Sequence, residues 1–421
     1  MALRRTLYDM ARRMNTLRNF VPRPIKDIGR RIFSRKRRAR LPYRSGAYPE
    51  GVNVFGFFSE SLGLGQGARL YTRALAKSRT PHAMIDVRLT PSSGRKNVNG
   101  PERFVRAPVY DINLIHVNPD VLPLAQMLSP LNYWDKRYNI GVWLWELEQI
   151  PREWHECFKD VDEIWAPSSF IADALRLVSP VPISVVPYGI EAPDDPVVTR
   201  ETLGLPEDAF LVLNMFDLNS YAARKNPEAA IEAFFNAFGS AHERARLVLK
   251  VHNAMPEDLD RLNRMCQGSP NVIVINTDME RRAVNSLIRA CDVLVSLHRS
   301  EGFGLVMAEA MYLGVPVVAT NWSANLDFMN PDNSCLVDFE LVPTGGAYMY
   351  GQVDQRWAQP NTGNAAQYLK RLYADPSYRK TVARAGMESI RLNFSIDCCA
   401  QIMERRIAEI RAGHLAVKKR G

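Results

Sequence analysis

The sequence is poor in the residues that indicate a disulfide-bonded or zinc-binding protein. It has six cysteines in 421 residues, and no two of them form a C-x-x-C pair. Structural zinc sites need closely spaced Cys and His ligands, so this spacing excludes a zinc finger. A disulfide framework is not expected in a chain of this length without an export signal. We therefore expect a reducing, cytoplasmic setting.

Long apolar runs are also absent. No uninterrupted apolar run approaches the roughly 20 residues that cross a bilayer, so no transmembrane helix is predicted. The first thirty residues carry arginines throughout and lack the apolar core of a secretory signal. With 46% hydrophobic residues the chain can bury a large core, which excludes wholesale disorder, and its length predicts two domains or slightly more.

The net positive charge comes entirely from the N-terminus. Residues 1–44 contain fifteen Lys and Arg and two Asp, a net charge of +13, whereas the other 377 residues contain 39 basic and 43 acidic residues, a net charge of −4. Apolar residues recur there at helical spacing opposite a face of arginines: Leu3, Leu7, Met10, Met14, Leu17 and Val21. A basic amphipathic helix followed by a polybasic stretch is typical of binding to an anionic membrane surface.

Two interpretations of this N-terminal extension compete with membrane binding. A solvated leader is the simplest, and an Arg-rich transit peptide is the second, although serines are few. Few aromatic residues accompany the arginines, so nucleic-acid binding is not predicted.

From residue 51 onward, short apolar runs alternate with helical patterns. This alternation predicts parallel sheets covered by helices on both faces. An acidic, proline-rich segment at residues 191–196 interrupts the pattern, which then restarts, so we predict two doubly wound domains with a ligand cleft at the carboxyl ends of both sheets. The predicted divisions are an extension (1–44), a first domain (45–190), a linker (191–205), a second domain (206–394) and a final helix that packs back across the cleft (395–421).

The most informative stretch is a glycine-rich turn, Ser-Glu-Gly-Phe-Gly, directly after the predicted strand at 293–297. The helix that follows it offers unpaired N–H groups that suit a diphosphate. Glu301 lies in this turn, and Glu309 lies about one turn into the helix, so two carboxylates flank the predicted anion site. The spacing alone also fits an ordinary helix-start acid and a solvent-facing Glu309. The turn and the preceding strand favour the functional interpretation.

These residues resemble the retaining, nucleotide-sugar-dependent glycosyltransferases of GT-B fold, of the group 1 or family 4 type. The resemblance covers most of residues 50–395 and is also carried by residues 164–170, 186–190 and 318–320. It implies two Rossmann-like domains facing a cleft, the first for the acceptor and the second for the nucleotide sugar. It further implies that Glu301 contacts the donor sugar and Glu309 the ribose. The backbone of Gly302, Phe303, Gly304 and Leu305 would hold the diphosphate.

Two basic residues, Arg224 and Lys225, follow the first strand of the second domain. Family members have an arginine and a lysine in this loop, and Lys225 matches the lysine, whose charge would stabilise the leaving diphosphate. The usual arginine is missing, so the resemblance leaves its role to Arg224, or to a neutral Ser220 or Asn219. No carboxylate is identifiable as a nucleophile, which favours front-face displacement. No D-x-D motif lies at a sheet end, so neither a metal nor another cofactor is predicted.

The first domain offers a glycine-rich segment and a histidine. The resemblance assigns the glycines to the cleft, so Gly65 is a predicted donor contact. A flexible turn and an NAD-binding domain are alternatives, the latter because Asp86 lies about twenty residues on. His116 ends a predicted strand where family members often carry a catalytic-site histidine. The family's key histidine is sometimes the second of an H-x-H pair, here Asn118, and a structural histidine is equally expected.

The predicted function is that of a glycosyltransferase that transfers a hexose, mannose-like or similar, with retention. The donor is a nucleoside diphosphate sugar and the acceptor a glycan or lipid-linked molecule, in polysaccharide or glycolipid synthesis. Glu146 and Glu148 are further candidates for acceptor binding. Peripheral attachment to the inner face of a membrane is expected through residues 1–44. A non-catalytic nucleotide- or sugar-binding module is the alternative.

Overall fold

The computed structural model describes residues 39–59, 63–88, 104–345 and 355–418. The predicted amphipathic helix and most of the polybasic stretch lie outside the described residues. Among the helices that are described, none is both long and apolar enough to cross a membrane.

The first domain is built on a six-stranded parallel sheet with strand order β2-β1-β3-β4-β5-β6. Every residue of β1, β3, β4 and β5 is buried, as expected of strands covered on both faces by helices. Its strands are β1 Val52–Gly56, β2 His82–Asp86, β3 Ile112–Ile115, β4 Tyr138–Val142, β5 Glu163–Ala166 and β6 Ile183–Val185. Its helices are α1 Gly63–Lys77, α2 Leu122–Leu128 and α3 Ser169–Arg176.

The second domain has a six-stranded parallel sheet with strand order β12-β11-β10-β7-β8-β9. Its strands are β7 Phe210–Asp217, β8 Ala245–His252, β9 Val272–Ile275, β10 Val293–Ser296, β11 Val317–Thr320 and β12 Cys335–Val337. Its helices are α4 Ala222–Lys225, α5 Pro227–Phe238, α6 Pro256–Met265, α7 Arg281–Ala290, α8 Leu305–Tyr312, α9 Thr362–Ala374 and α10 Pro376–Asn393. The prediction of two doubly wound domains is confirmed.

Strand order reverses between β7 and β10, the first and fourth strands of the second sheet. Such a switch point leaves a crevice at the carboxyl ends of the two strands, because their following connections run in opposite directions. The loops after β7 and β10 are therefore the places in this domain where a ligand is expected.

The glycine-rich segment of the first domain is helical. Helix α1 begins at Gly63, so the glycines form its first turns rather than a flexible turn before it. Gly67 allows the helix to lie directly on the sheet, because a Cβ atom there would stand 2.5 Å from the Tyr188 hydroxyl.

The last helix, α11 Ile396–Lys418, leaves the second domain and packs against α1 of the first. Its Arg406 pairs with the fully buried Glu163, with 2.7 Å between Nε and Oε1. The two segments that pass between the domains are also joined, since the Ile190 N–H donates to the Phe394 carbonyl at 2.7 Å.

An antiparallel hairpin, β13 Phe339–Pro343 with β14 Arg356–Pro360, was not predicted. Strand β13 is exposed or partly buried throughout, whereas β14 buries Trp357, Ala358 and Pro360, and neither strand has the apolar run of the sheet strands. The hairpin supports the loop after β10, because the Ala358 N–H donates to the Arg299 carbonyl at 2.9 Å.

The described end of the N-terminal extension contacts the first domain. Arg40 forms two hydrogen bonds to the Asp162 carboxylate, at 2.7 and 2.9 Å. The Leu41 N–H donates to Asp135 Oδ1 at 2.7 Å. Contacts of the first domain thus include residues that the sequence assigns to the extension.

Candidate functional site

Two loops of the second domain meet at its topological switch point. The loop after β7 contains Arg224 and Lys225, and the loop after β10 contains Glu301. They are joined by the Arg299 N–H, which donates to the Arg224 carbonyl at 2.8 Å, and by the Asn226 amide, which donates to the Leu297 carbonyl at 3.0 Å. The geometry therefore brings Glu301 to Arg224 and Lys225, which lie more than 70 positions before it in the sequence.

Glu301 is the centre of this cluster. Its Oε1 lies 2.5 Å from Lys225 Nζ and 3.2 Å from Arg224 Nη1. Burial raises the pKa of the Glu301 carboxyl, but the charges of Lys225 and Arg224 outweigh it and bring the pKa to about 2. Glu301 is therefore ionised at any pH near neutrality.

Arg224 and Lys225 differ in their surroundings. Arg224 is buried, and its Nη1 also donates to the Ser300 carbonyl at 2.8 Å. Its Nη2 lies 3.7 Å from Glu146 Oε1 of the first domain, so one guanidinium bridges two carboxylates from different domains. Lys225 is more exposed, with 23% of its side chain accessible, which leaves its ammonium closer to a ligand. The Ser220 carbonyl accepts from Arg224 at 3.4 Å, and the Asn219 side chain lies outside the described residues.

The glycine-rich turn ends at Gly304, which has φ of +94°. This left-handed backbone conformation favours glycine, and a Cβ atom here would also displace the end of the Met307 side chain, 2.5 Å away. Helix α8 begins at the next residue, Leu305. The first amides of a helix have no acceptor within it and carry the positive end of its dipole, so this turn is suited to an anion.

Glu309 lies one turn into α8 and only 2% of its side chain is exposed. Its Oε1 contacts the guanidinium of Arg281, the first residue of α7. Its Oε2 has no hydrogen-bond partner among the described residues. A buried carboxylate oxygen without a donor is unfavourable, and a hydroxyl group of a ligand would satisfy it.

Two arginines of the first domain lie near Arg281, the partner of this carboxylate. Burial, together with the nearby charges of Arg69 and Arg73 on α1, lowers the pKa of Arg281 to about 10. Charges of the first domain therefore act on the arginine that pairs with Glu309.

His116 of the first domain lies in the core beneath α1. It is fully buried, its Nε2 is 2.7 Å from the Tyr188 hydroxyl, and burial lowers its pKa to about 3. The ring is therefore neutral and enclosed, which favours the structural histidine among the two alternatives. Gly65 is buried in the first turns of α1.

Asn118 also serves the fold. Its side chain donates to the Leu144 carbonyl at 3.0 Å and accepts from the Leu144 N–H at 2.8 Å. It thereby fixes the loop after β4, which carries Glu146. Glu148 farther along this loop lies 3.7 Å from Arg356 of the hairpin.

Asp86, the residue expected to bind the ribose in an NAD-binding domain, is engaged by other residues of the protein. The Asp86 carboxylate accepts from the Ser59 N–H at 3.1 Å and from the Ser59 hydroxyl at 2.6 Å, and it pairs with Arg88 at 2.7 Å. Both oxygens are occupied, so the residue offers little to an adenosine ribose.

The roles of several supporting residues were missed by sequence reasoning. Ser323 accepts the Glu301 N–H at 2.9 Å, and the Ser300 hydroxyl donates to the Glu146 carbonyl of the first domain. Arg281 contacts Glu309, and Ser168 contacts the glycine-rich turn. Serine and arginine at loop positions carry no distinctive pattern, and only the fold brings them to the site. Within the described chain no cluster of three or more His, Cys, Asp or Glu residues is arranged to hold a metal ion.

Comparison with known proteins adds a family match in the second domain. Residues 199–339 match the family model of glycosyl transferases group 1. A D-inositol 3-phosphate glycosyltransferase of Xylanimonas cellulosilytica is 33% identical over 155 residues, which are 32% of this chain and 34% of that protein. A protein of the same name from Acidothermus cellulolyticus is 29% identical over 170 residues, 38% and 37% of the two chains. The matches thus span about a third of the length of these curated relatives.

Solved structures extend the likeness to the whole fold. HepE of Anabaena in complex with UDP-glucose superposes with a TM-score of 0.62 at 14% identity, over 86% of this chain and 100% of that chain. Sucrose-phosphate synthase from Thermosynechococcus elongatus superposes with a TM-score of 0.63 at 16% identity, over 89% and 100%. The chain has the GT-B fold of these proteins, and it resembles group 1 glycosyl transferases through its second domain.

Proposed function

We propose that this protein, which has the GT-B fold and matches group 1 glycosyl transferases in its second domain, is a hexosyltransferase. It transfers the hexose from a nucleoside diphosphate sugar to a hydroxyl group of a glycan or lipid-linked acceptor. Configuration at the anomeric carbon is retained. The second domain binds the donor, and the acceptor enters from the first domain beside Glu146.

The observation that carries this proposal is the convergence of Lys225, Arg224 and the start of α8 around Glu301. Two cations and a helix N-terminus on one small surface match the negative charge of a diphosphate, and that charge grows as the diphosphate leaves. Lys225 is the exposed cation of the pair and acts on the leaving group, whereas the buried Arg224 holds Glu301 in place.

In the proposed step, the acceptor oxygen forms its bond to the anomeric carbon on the face from which the diphosphate oxygen departs. The electron pair of the broken bond stays on the diphosphate, which takes the proton of the acceptor hydroxyl. Glu301 contacts hydroxyl groups of the transferred sugar and orients it. No residue forms a covalent bond to the sugar in this mechanism.

Glu309 supplies the second half of donor recognition. Its unpartnered Oε2 accepts a hydrogen bond from a ribose hydroxyl, and Arg281 moves aside or shares the carboxylate when the nucleotide binds. Gly302, Phe303, Gly304 and Leu305 supply the backbone that surrounds the diphosphate.

The acceptor is assigned only by class. The curated relatives are named for D-inositol 3-phosphate, but their matches cover about a third of each chain, too little to transfer an acceptor to this protein. The charge of residues 1–44 supports an anionic membrane as the place where a lipid-linked acceptor is met.

The test is a screen of donors in two stages. UDP, GDP and their common sugars are first compared by the rise they cause in melting temperature, and the binding sugar is then supplied in radiolabelled form with candidate acceptors. We expect one nucleotide to stabilise the protein and its sugar to appear in product. Binding without transfer or hydrolysis would favour the non-catalytic module, and stabilisation by NAD instead would favour the dinucleotide alternative.

A further inference from the structure

One hydroxyl group of the first domain reaches the glycine-rich turn of the second. Ser168 follows β5 and is fully buried. Its Oγ donates to the Gly302 carbonyl at 2.8 Å and accepts from the Ile171 N–H at 3.3 Å, where it caps α3. The same side chain therefore starts a helix of one domain and holds the backbone of the other.

The bonded carbonyl belongs to the peptide group that contains the Phe303 amide. A peptide group is planar and its C=O and N–H point in opposite directions, so fixing the Gly302 carbonyl fixes the direction of the Phe303 N–H. A hydrogen bond to the carbonyl also polarises the peptide group and strengthens its N–H as a donor. Ser168 thus acts on an amide of the anion site without touching the anion.

The two domains approach each other closely around this bond. The Ser169 N–H donates to Asp327 Oδ2 at 2.7 Å, directly beside Ser168. A Cβ atom on Gly302 would lie 3.1 Å from the Trp145 carbonyl and 3.3 Å from Ile171 Cδ1, so the turn packs tightly against the first domain. These contacts join residues of different domains, and separation of the domains would break all of them together.

We propose that Ser168 is a positioning residue that couples closure of the two domains to the orientation of the Phe303 amide toward the donor diphosphate. This inference rests on the proposed function. When the domains close, the hydroxyl captures the Gly302 carbonyl and the amide turns to the diphosphate. When they separate, the amide loses its fixed direction and the product nucleotide is released.

Three substitutions separate this role from helix capping. Ser168→Thr keeps both hydrogen bonds, Ser168→Ala removes both, and Ser168→Asp keeps a capping acceptor but has no hydrogen to donate when ionised. Asn361→Ala is the matched control, because Asn361 caps α9 by accepting the Asn364 N–H at 2.9 Å and makes no contact with the turn.

The measurements are melting temperature, kcat, the KM for each substrate and the affinity for the nucleoside diphosphate. We expect Ser168→Ala to lose roughly tenfold to a hundredfold in kcat and in nucleotide affinity, as a small misplacement of a site commonly does. Ser168→Thr should have the kcat and nucleotide affinity of the wild type. Asn361→Ala should have a lower melting temperature and an unchanged kcat. A folded Ser168→Asp protein should be as impaired as Ser168→Ala.

Wild-type kcat and nucleotide affinity in Ser168→Ala would overturn the inference, and so would equal losses in Asn361→Ala. If Ser168→Asp does not fold, the comparison of Ser168→Ala with Ser168→Thr tests the positioning role. If the wild type binds a nucleoside diphosphate but transfers no sugar, the proposed function fails. The affinities of the two variants then still test the positioning role.

Discussion

The two edges of the cleft are built differently. On the second domain, Lys225, Arg224 and Glu301 form a charged cluster next to a helix N-terminus, and Glu309 keeps one buried oxygen unpartnered among the described residues. On the first domain, His116 is enclosed in the core, and both polar groups of Asn118 are bonded to Leu144. The polar residues of the second domain are thus arranged for a ligand, whereas these two of the first domain maintain the fold.

Under the proposed function, the difference follows from what each side has to recognise. A diphosphate carries concentrated charge, and binding it takes fixed cations and amides, which short motifs after two strands supply. A sugar acceptor is bound by scattered hydrogen bonds that several loops provide. If function divides between the edges in this way, changes in the charged cluster of the second domain should affect catalysis more than changes in the first domain.

The largest effect is expected from Lys225→Ala. Removal of a preorganised cation beside a developing negative charge should lower kcat by roughly 10²–10³. Steady-state kinetics with saturating donor would measure it. Lys159→Ala is the control, since Lys159 also pairs with a glutamate, Glu156 at 2.7 Å, but on the exposed surface of the first domain. Turnover equal to the wild type would mean that Lys225 is only a surface cation.

Glu309→Ala should weaken donor binding more than acceptor binding. A hydrogen bond to a charged group is worth about 1.5–3 kcal/mol, which corresponds to roughly a tenfold to hundredfold loss of donor affinity. The KM of each substrate and calorimetry with the nucleotide would show it. Glu388→Ala on α10 is the control, because Glu388 also pairs with an arginine, Arg384, but both side chains are exposed to solvent. An unchanged donor affinity would remove Glu309 from the ribose site.

His116 should affect stability in acid rather than catalysis at neutral pH. Its pKa is about 3 in the folded protein because of burial, whereas the unfolded chain takes up the proton near the ordinary value of 6.5. The free energy of unfolding should therefore be undiminished above pH 6.5 and fall as the pH decreases from 6.5 toward 3. Urea titrations at pH 7 and pH 5 would compare the wild type with His116→Gln. The free energy of unfolding should fall less between these pH values in the variant. An inflection in kcat near pH 6.5 that disappears in His116→Gln would instead return His116 to the catalytic site.

The smallest effect on catalysis is expected from deletion of residues 1–38. This deletion keeps Arg40 and its pair with Asp162, so the first domain retains its observed contacts. Transfer to a water-soluble acceptor should be unchanged, whereas binding to anionic liposomes should disappear. Wild-type binding should weaken as salt rises, because the Debye length falls from about 10 Å at 0.1 M to about 3 Å at 1 M. Equal partitioning of both proteins at low salt would contradict the membrane assignment.

The sequence predicts the fold because buried strands and helices depend on local patterns, and the residues of the proposed donor side also lie in such local units. Buried parallel strands are continuous apolar runs, and the Gly-Phe-Gly turn with Glu301 and Glu309 lies within one strand–turn–helix unit. The pairing of Arg224 with both Glu301 and Glu146 could not be predicted, since it requires the domains to meet. The hairpin β13–β14 and the hydroxyl of Ser168 were missed for the same reason: neither has a periodic pattern, and each acquires its role only through packing.

Hydrogen exchange with and without the nucleoside diphosphate that stabilises the protein tests the division between the two edges most directly. We expect binding to slow exchange most strongly at residues 303–306, which include the two amides before α8 and the first two within it. The segment around His116 should change little. Protection concentrated at residues 63–69 of α1, with residues 303–306 unchanged, would contradict the assignment of the donor site to the second domain.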